Sequence, residues 1–328
     1  MKRDFRALTE GEVVDMLKKP APTVVLFHVR PDGDAVGSAF ALSLWLSAMG
    51  SPAFCLCADE VPTNLRFLSD GLQESTRLSA LPDAFKNARV ISVDTASPAQ
   101  LGGLFEVFSD RVTLMIDHHG KGTPYADHLI RPAAAASGEI VYDLIAASGV
   151  DMPPRSAELL YAAISADTGC FRFSNTTKET HLRAAALVET GIDTAEINRR
   201  LFDSKPYLTL VAEKAGFDRL HFYAGGRVAA VAMPYEVKAA LSLEEEHFST
   251  LIDMARSIAG VDVAVALRQS EPGGEFRVSM RANTEIDMAA VAAKFGGGGH
   301  KRASGCGVTA KDAAEAEKKI VDAVLAAL

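Results

Sequence analysis

TVVLFHVRPDGDAVGSAFALSLWLSAM, residues 23–49, is the stretch that decides the fold. Thr23–Phe27 is an unbroken β-branched and apolar run, the composition of a strand covered on both faces. Pro31 and Gly33 then impose a sharp turn, and from Ala35 to Met49 apolar side chains recur every three or four residues, as on a helix. A strand, a turn and a helix in that order begin a parallel β-α-β unit. Working outward, the same texture predicts strands at Ala53–Cys57, Arg89–Val93 and Val112–Ile116, and helices at Ser137–Ala147, Ser156–Ser165 and Lys178–Thr190. The fold class expected is α/β: a parallel-sheet N-terminal domain with helices on both faces.

Beyond Gly191 the texture changes. A turn-prone stretch to Pro206 precedes β-type runs at Phe217–Tyr223, Val228–Met233, Val261–Leu267 and Phe276–Met280, which read as a smaller α+β C-terminal domain. The expected division is residues 1–190 for the first domain, 191–212 for a short helical connector poor in Gly and Ser, and 213–328 for the second. A length of 328 residues suits two hydrophobic cores better than one.

With 48% hydrophobic and 23% charged residues, the chain is neither disordered nor fibrous. The segment MKRDFRALTEGEVVDMLKK is too charged for a signal peptide, and no apolar run reaches the ~20 residues that cross a bilayer, so a cytoplasmic protein with no membrane partner is expected. Cys55, Cys57, Cys170 and Cys306 form no CxxC pair and are expected as reduced thiols. A net charge of −8 argues against coating long nucleic acid, yet leaves room for a small anionic substrate held by a few cations or metal ions. Oligomeric state is left open, a homodimer included.

The predicted strands of the first domain end in ionisable residues. TVVLF runs into His28, Asp32 and Asp34, ISV into Asp94, and LMI into Asp117, His118 and His119. Carboxyl ends of parallel strands form the binding crevice of an open sheet, so three strands deliver carboxylates and imidazoles to one edge. Singly, each has an ordinary reading: an Asp after a strand caps a helix or forms a turn, and a lone His is a hydrogen-bonded core residue. Together they read as a metal site. Mixed oxygen and nitrogen ligands suit manganese, where an all-oxygen set would suit magnesium or calcium. The helix opening near Gly37-Ser38 is expected to add backbone N–H groups for an anion. Asp167, in SADTGCF, lies past an apolar helix and alone would be a helix-ending residue.

With HVRPDGDAVGS, VDT, IDHHG and ADTGCF in that order, the chain closely resembles the DHH phosphoesterase superfamily, whose triplet is here Asp117-His118-His119. FRVSMRANTEIDMAAVAAKFGGGGHKRASG resembles the DHH-associated C-terminal domain, marked by a glycine run ending in His300. Within the superfamily the likeness is to the nano-RNase and pAp phosphatase type. That resemblance implies two divalent cations, Mn2+ in the first instance: one held by His28, Asp32 and Asp94, the other by Asp34, Asp94, His118 and Asp167. It further implies His119 near the scissile phosphate and Asp117 orienting the histidines. Substrate contacts would come from Arg281, Gly297, Gly298, Gly299 and His300, with Lys301 and Arg302 adding charge. Arg281 is followed by Ala282-Asn283, where the family pattern has a Ser.

The activity so implied is hydrolysis of short oligoribonucleotides and of adenosine 3′,5′-bisphosphate by water activated between two metals. Alternatives are a phosphodiesterase of cyclic di-AMP or its linear product pApA, an inorganic pyrophosphatase, and a non-catalytic nucleotide sensor.

Overall fold

The apolar run at residue 23 becomes the inner strand of a parallel sheet in the computed structural model, which describes residues 4–328. Two units are separated between Ser204 and Lys205. The first contains α1 (Glu10–Leu17), β1 (Thr23–Leu26), α2 (Gly33–Ala48), β2 (Ala53–Leu56), β3 (Arg89–Val93) and α3 (Gly103–Phe108). It continues through β4 (Val112–Asp117), β5 (Asp127–Ile130), α4 (Ser137–Ser148), α5 (Pro154–Asp167), α6 (Lys178–Glu189) and α7 (Thr194–Asn198).

All five strands pair in parallel, in the order β2-β1-β3-β4-β5. Leu26 stands beside both Leu56 and Ser92, and Val93 beside Ile116, so the strands finish at nearly one level. From β1 the chain goes outward to β2 and then back across β1 to β3. That reversal opens a crevice at the carboxyl ends of β1 and β3. Helices cover both faces, unequally. Val25, Ile91, Leu114 and Ile116 pack against Phe40, Trp45, Ile140 and Leu160 of the long helices, while Val24, Leu26, Val90 and Met115 meet Leu104 and Phe108 of α3.

Three glycines let the long helices approach each other at the crevice. A Cβ on Gly37 of α2 would lie 2.6 Å from the Leu159 carbonyl oxygen and 3.0 Å from Ala163 Cβ of α5. One on Gly33 would lie 2.5 Å from Ala166 Cβ, and one on Gly138 of α4 would lie 2.7 Å from Ala163 Cβ. The expectation for Gly37-Ser38 is thereby corrected. The helix opens four residues earlier, at Gly33, so the 37–38 amides sit inside its hydrogen-bonded ladder.

The second unit contains α8 (Tyr207–Phe217), β6 (Leu220–Tyr223), β7 (Val228–Met233), α9 (Tyr235–Ala240), α10 (Leu251–Arg256), β8 (Val263–Gln269) and β9 (Phe276–Ala282). It ends with α11 (Met288–Ala293), β10 (Gly298–His300), β11 (Ala303–Val308) and α12 (Ala313–Leu325). Its sheet runs β10-β11-β9-β8-β7-β6, antiparallel except between β7 and β8. Val228 and Ala230 join the core under α11 and α12, while Val231 and Met233 join that under α8 and α10, so β7 is buried on both faces. Among the described residues, no helix is long and apolar enough to cross a membrane.

Candidate metal centre

Every predicted ligand of the first unit converges on the crevice. His28 follows β1, Asp94 follows β3, Asp117 ends β4 with His118 and His119 after it, and Asp167 ends α5. Asp32 is the N-cap of α2, where its Oδ1 accepts the Ala35 N–H at 3.0 Å, and Asp34 lies in the first turn. The close passage of α2 and α5 at Gly33 and Gly37 brings Asp34 and Asp167 around one histidine.

The central group is Asp94, whose two carboxylate oxygens face opposite ways. Oδ2 is 3.3 Å from His28 Nε2, which is also 3.7 Å from Asp32 Oδ1. Oδ1 is 3.6 Å from His118 Nε2, which in turn is 3.8 Å from Asp34 Oδ2 and 3.3 Å from Asp167 Oδ2. Asp94 itself is 2% exposed and holds a backbone φ of 57°, a left-handed conformation that L side chains avoid. Such strain in a non-glycine residue at a strand end is characteristic of functional positions.

Hydrogen bonds fix which ring nitrogen faces inward. The Nδ1 atoms of His28 and His118 meet the carbonyl oxygens of Val29 at 2.9 Å and Ala134 at 3.3 Å. Each Nδ1 must be the N–H donor, so in a neutral ring Nε2 presents a lone pair to the carboxylates. Acceptors then face acceptors, an arrangement a cation satisfies. Two groups of possible ligands follow, His28-Asp32-Asp94 and Asp34-His118-Asp167, each with ligand atoms within 4.8 Å of one another. A third grouping joins Asp94 with His118 and His119, whose Nδ1 meets Asp117 Oδ1 at 2.7 Å. Asp117 therefore orients His119 alone; the Ala134 carbonyl orients His118.

Crowding drives the ionisations apart. Burial and the neighbouring Asp94 charge raise Asp34 to about 7. Burial, with Asp34, Asp32 and Asp94, pushes Asp167 well above the carboxylate range. Asp94 moves the other way: burial opposes its ionisation, yet the His28 hydrogen bond and the charges of His28, His118 and His119 hold it below the usual range. Burial also opposes charge on His28, but its bonds to Asp32 and Asp94 raise it to about 12. Protonation of these groups relieves the crowding of negative charge.

Several supporting residues went unassigned in the sequence. Asp34 Oδ1 accepts the Ser38 hydroxyl at 2.7 Å and the Gly138 N–H at 2.9 Å, and its Oδ2 accepts the Ser137 N–H at 2.6 Å. Asn175 Nδ2 donates to the Asp167 carbonyl at 3.0 Å and to the Ala135 carbonyl at 3.1 Å. Of these, Ser38 and the helix start at Ser137 lie in stretches that the sequence marks, and neither side chain carries a chemical signature of this role.

Residues 22–164 match the DHH family N-terminal domain and residues 228–327 match the DHHA1 domain. A protein named bifunctional oligoribonuclease and PAP phosphatase NrnA, from Thermus thermophilus, is 32% identical over 95% of this chain and 92% of its own. The chain belongs to the DHH family. As a DHH-family protein it is a phosphoester hydrolase. An exopolyphosphatase-related protein of Bacteroides fragilis shares the fold with a TM-score of 0.86 at 21% identity, over 97% of this chain and 95% of that one. RecJ of Thermus thermophilus, solved in complex with Mn2+, has a TM-score of 0.52 at 15% identity, over 97% of this chain and 53% of that one.

In the DHHA1 domain, Arg281, Ala303 and His300 are directly paired across β9, β11 and β10, so their side chains share one face of the sheet. Beside that row lie Ser279, Gly305 and Gly298, a strip almost without side chains. Arg281 is half-buried, donates to the Met280 carbonyl at 3.1 Å, and has its pKa lowered by burial. His300 and Gly298 are exposed. Gly297 and Gly299 have a structural reason to be glycine: their Cβ atoms would fall 2.2 Å from the Gly305 and 2.6 Å from the Ala303 carbonyl oxygens. Gly298 has none, since its Cβ would point into open space. Lys301 and Arg302 both pair with Glu285, which occupies the charge expected of them.

Proposed function

We propose that this chain hydrolyses short oligoribonucleotides and adenosine 3′,5′-bisphosphate, using two divalent cations, Mn2+ by preference. The observation that carries the reading is Asp94, whose two oxygens face two separate His and Asp groups at 3.3 and 3.6 Å. The donor set fits borderline divalent ions, and the relatives' names supply the substrate class. His28, Asp32 and Asp94 would hold one ion; Asp34, Asp94, His118 and Asp167 would hold the other. When bound, such a pair supplies Lewis-acid activation of water and neutralises charge on the phosphoryl oxygens.

The chain's own groups have distinct tasks. Asp117 fixes His119 through Nδ1, and we assign His119 Nε2 to a phosphoryl oxygen of the substrate. Ser38 and the amides of Ser137 and Gly138 take three of the lone-pair positions on Asp34, which directs its remaining Oδ2 position to the cation. Arg281 and His300 bind a second anionic group, with the Gly298 strip letting it lie against the sheet. Short substrates are favoured because a long strand needs many cations along its phosphates, and the chain carries a net charge of −8.

The test is product analysis with purified protein and Mn2+ against pAp, pApA, cyclic di-AMP, pyrophosphate, dinucleotides and a 20-mer RNA. Cleavage of dinucleotides and pAp, lost in Asp94→Ala, is expected. Exclusive turnover of pyrophosphate or of cyclic di-AMP would refute the substrate assignment, and full activity of metal-stripped Asp94→Ala would refute the chemistry.

A further inference from the structure

The Asp94 carboxylate, which would serve both cations, needs something to hold it. A carboxylate whose oxygens serve opposite sides of a site must be fixed about its side-chain torsions, because a rotation that improves one side withdraws from the other. The Asp94 backbone sits in a left-handed conformation anchored by its N–H donating to the Ile116 carbonyl at 2.9 Å, which fixes the main chain but not the side-chain torsions. The neutral donor that reaches it is the Ser137 hydroxyl, 3.0 Å from Asp94 Oδ1.

Ser137 is fully buried at the first turn of α4, and its backbone N–H donates to Asp34 Oδ2 at 2.6 Å. One residue thus gives an O–H to Asp94 and an N–H to Asp34, carboxylates that arrive from β3 and α2. Its position is itself constrained. Gly138 packs so closely that a Cβ there would meet Ala163 Cβ at 2.7 Å and Asp34 Oδ1 at 3.5 Å, so α4 cannot slide. The preceding loop is pinned as well, by His118 on the Ala134 carbonyl and Asn175 on the Ala135 carbonyl. The Asp34 carboxylate serves as the cap of α4, whose N-cap residue Ala136 has no side-chain acceptor to offer.

We infer that Ser137 is a positioning residue that sets the orientation of the Asp94 carboxylate, and with it the binding of the cation on the His118 side. This deepens the metal assignment and rests on it. Ser137 Oγ donates to Oδ1, the oxygen facing His118, so loss of the hydroxyl frees that oxygen first. Oδ2, facing His28, keeps its neighbours. The expected defect is unequal: the Asp34-His118-Asp167 side weakens, and the His28-Asp32 side is largely spared.

The experiment measures Mn2+ binding to wild type, Ser137→Ala and Ser137→Cys by calorimetry and by the electron paramagnetic resonance signal of exchange-coupled manganese, alongside thermal unfolding. The alanine keeps the backbone N–H to Asp34, and the cysteine keeps a weaker donor of similar size. Loss of an outer-shell partner typically weakens metal binding ~10- to 100-fold. We expect that loss for one of two ions in Ser137→Ala, a diminished coupled signal, a lower kcat at nearly unchanged KM, and intermediate values for Ser137→Cys. Two ions bound by Ser137→Ala as tightly as by wild type would overturn the inference. So would equal weakening of both ions in step with a lowered Tm, which marks a merely structural residue. Wild type binding fewer than two ions would overturn the metal assignment and this inference together, whereas two ions bound without cleavage of short RNA would refute only the substrate reading.

Discussion

Replacing Gly37 by alanine tests whether the contact between α2 and α5 sets the metal centre. The added Cβ would lie 2.6 Å from the Leu159 carbonyl oxygen, and reaching an ordinary contact of 3.4 Å requires a displacement of about 0.8 Å. Overpacking of this kind costs ~1–3 kcal/mol, offset by about 1 kcal/mol of helix propensity gained over glycine. The net loss of about 0–2 kcal/mol corresponds to a fall in Tm of up to roughly 8 °C for a unit of this size. Function should suffer more than stability. Asp34 begins the helix that moves and Asp167 ends the helix it moves against, while such sites tolerate only ~0.5 Å. A misplacement near 1 Å costs ~100-fold in rate. Gly37→Ala should therefore unfold cooperatively a few degrees low, gain less Tm than wild type on adding MnCl2, and hydrolyse pAp ~10- to 100-fold more slowly. Gly11→Ala is the control, since no atom lies within 4 Å of its would-be Cβ. Wild-type Mn2+ affinity and kcat in a folded Gly37→Ala protein would refute the reasoning.

Cation loading should expel protons, because Asp34 titrates near 7 and His28 near 12 before it; affinity should rise with pH, and calorimetry in buffers of different ionisation enthalpy will show a buffer-dependent heat. Burial disfavours charge on His119, but its hydrogen bond to Asp117 and the charges of Asp94 and Asp117 together raise its pKa, so Asp117→Asn should move the corresponding limb of the pH–rate profile to lower pH. An unmoved profile would remove His119 from the chemistry. His300→Ala should raise KM for pAp with little change in kcat or in bound manganese, and a collapse of kcat alone would contradict its place in the anion row.

The sheet was legible because each buried strand is a run of β-branched and apolar residues, and β3 begins and ends where its composition does. Elements stabilised by pairing more than by composition were not. β5 contains Asp127 and His128, and β10 is Gly298-Gly299-His300; both exist because a neighbouring strand offers them hydrogen-bond partners. The clustering of the candidate ligands could be read because β1, β3 and β4 end in residues that are costly to bury without partners. Ser137 and Asn175 could not, because a serine at a helix start and an asparagine in a turn are ordinary choices with ordinary reasons. The glycine run was legible as a motif but not in its parts. Gly297 and Gly299 answer to close backbone packing, and only Gly298 is left for which packing supplies no reason.

The supporting residues make sense in view of what the crevice has to tolerate. Asp34, Asp94 and Asp167 are gathered around His118, and their mutual repulsion appears as ionisations driven apart: Asp34 and Asp167 pushed up, Asp94 pushed down. A cluster of this kind opposes folding unless something fixes each carboxylate while leaving part of its charge available. Neutral donors do so at little cost, since they orient an oxygen without cancelling the charge that a cation needs. Ser38, Ser137 and the amides at the start of α4 are all neutral. Among the described residues, no lysine or arginine forms an ion pair with Asp34, Asp94 or Asp167. A permanent cation there would stabilise the empty crevice and compete with the metal. The unsatisfied negative charge thus suits the site to cations, and the fold supports it with hydrogen bonds in place of ion pairs.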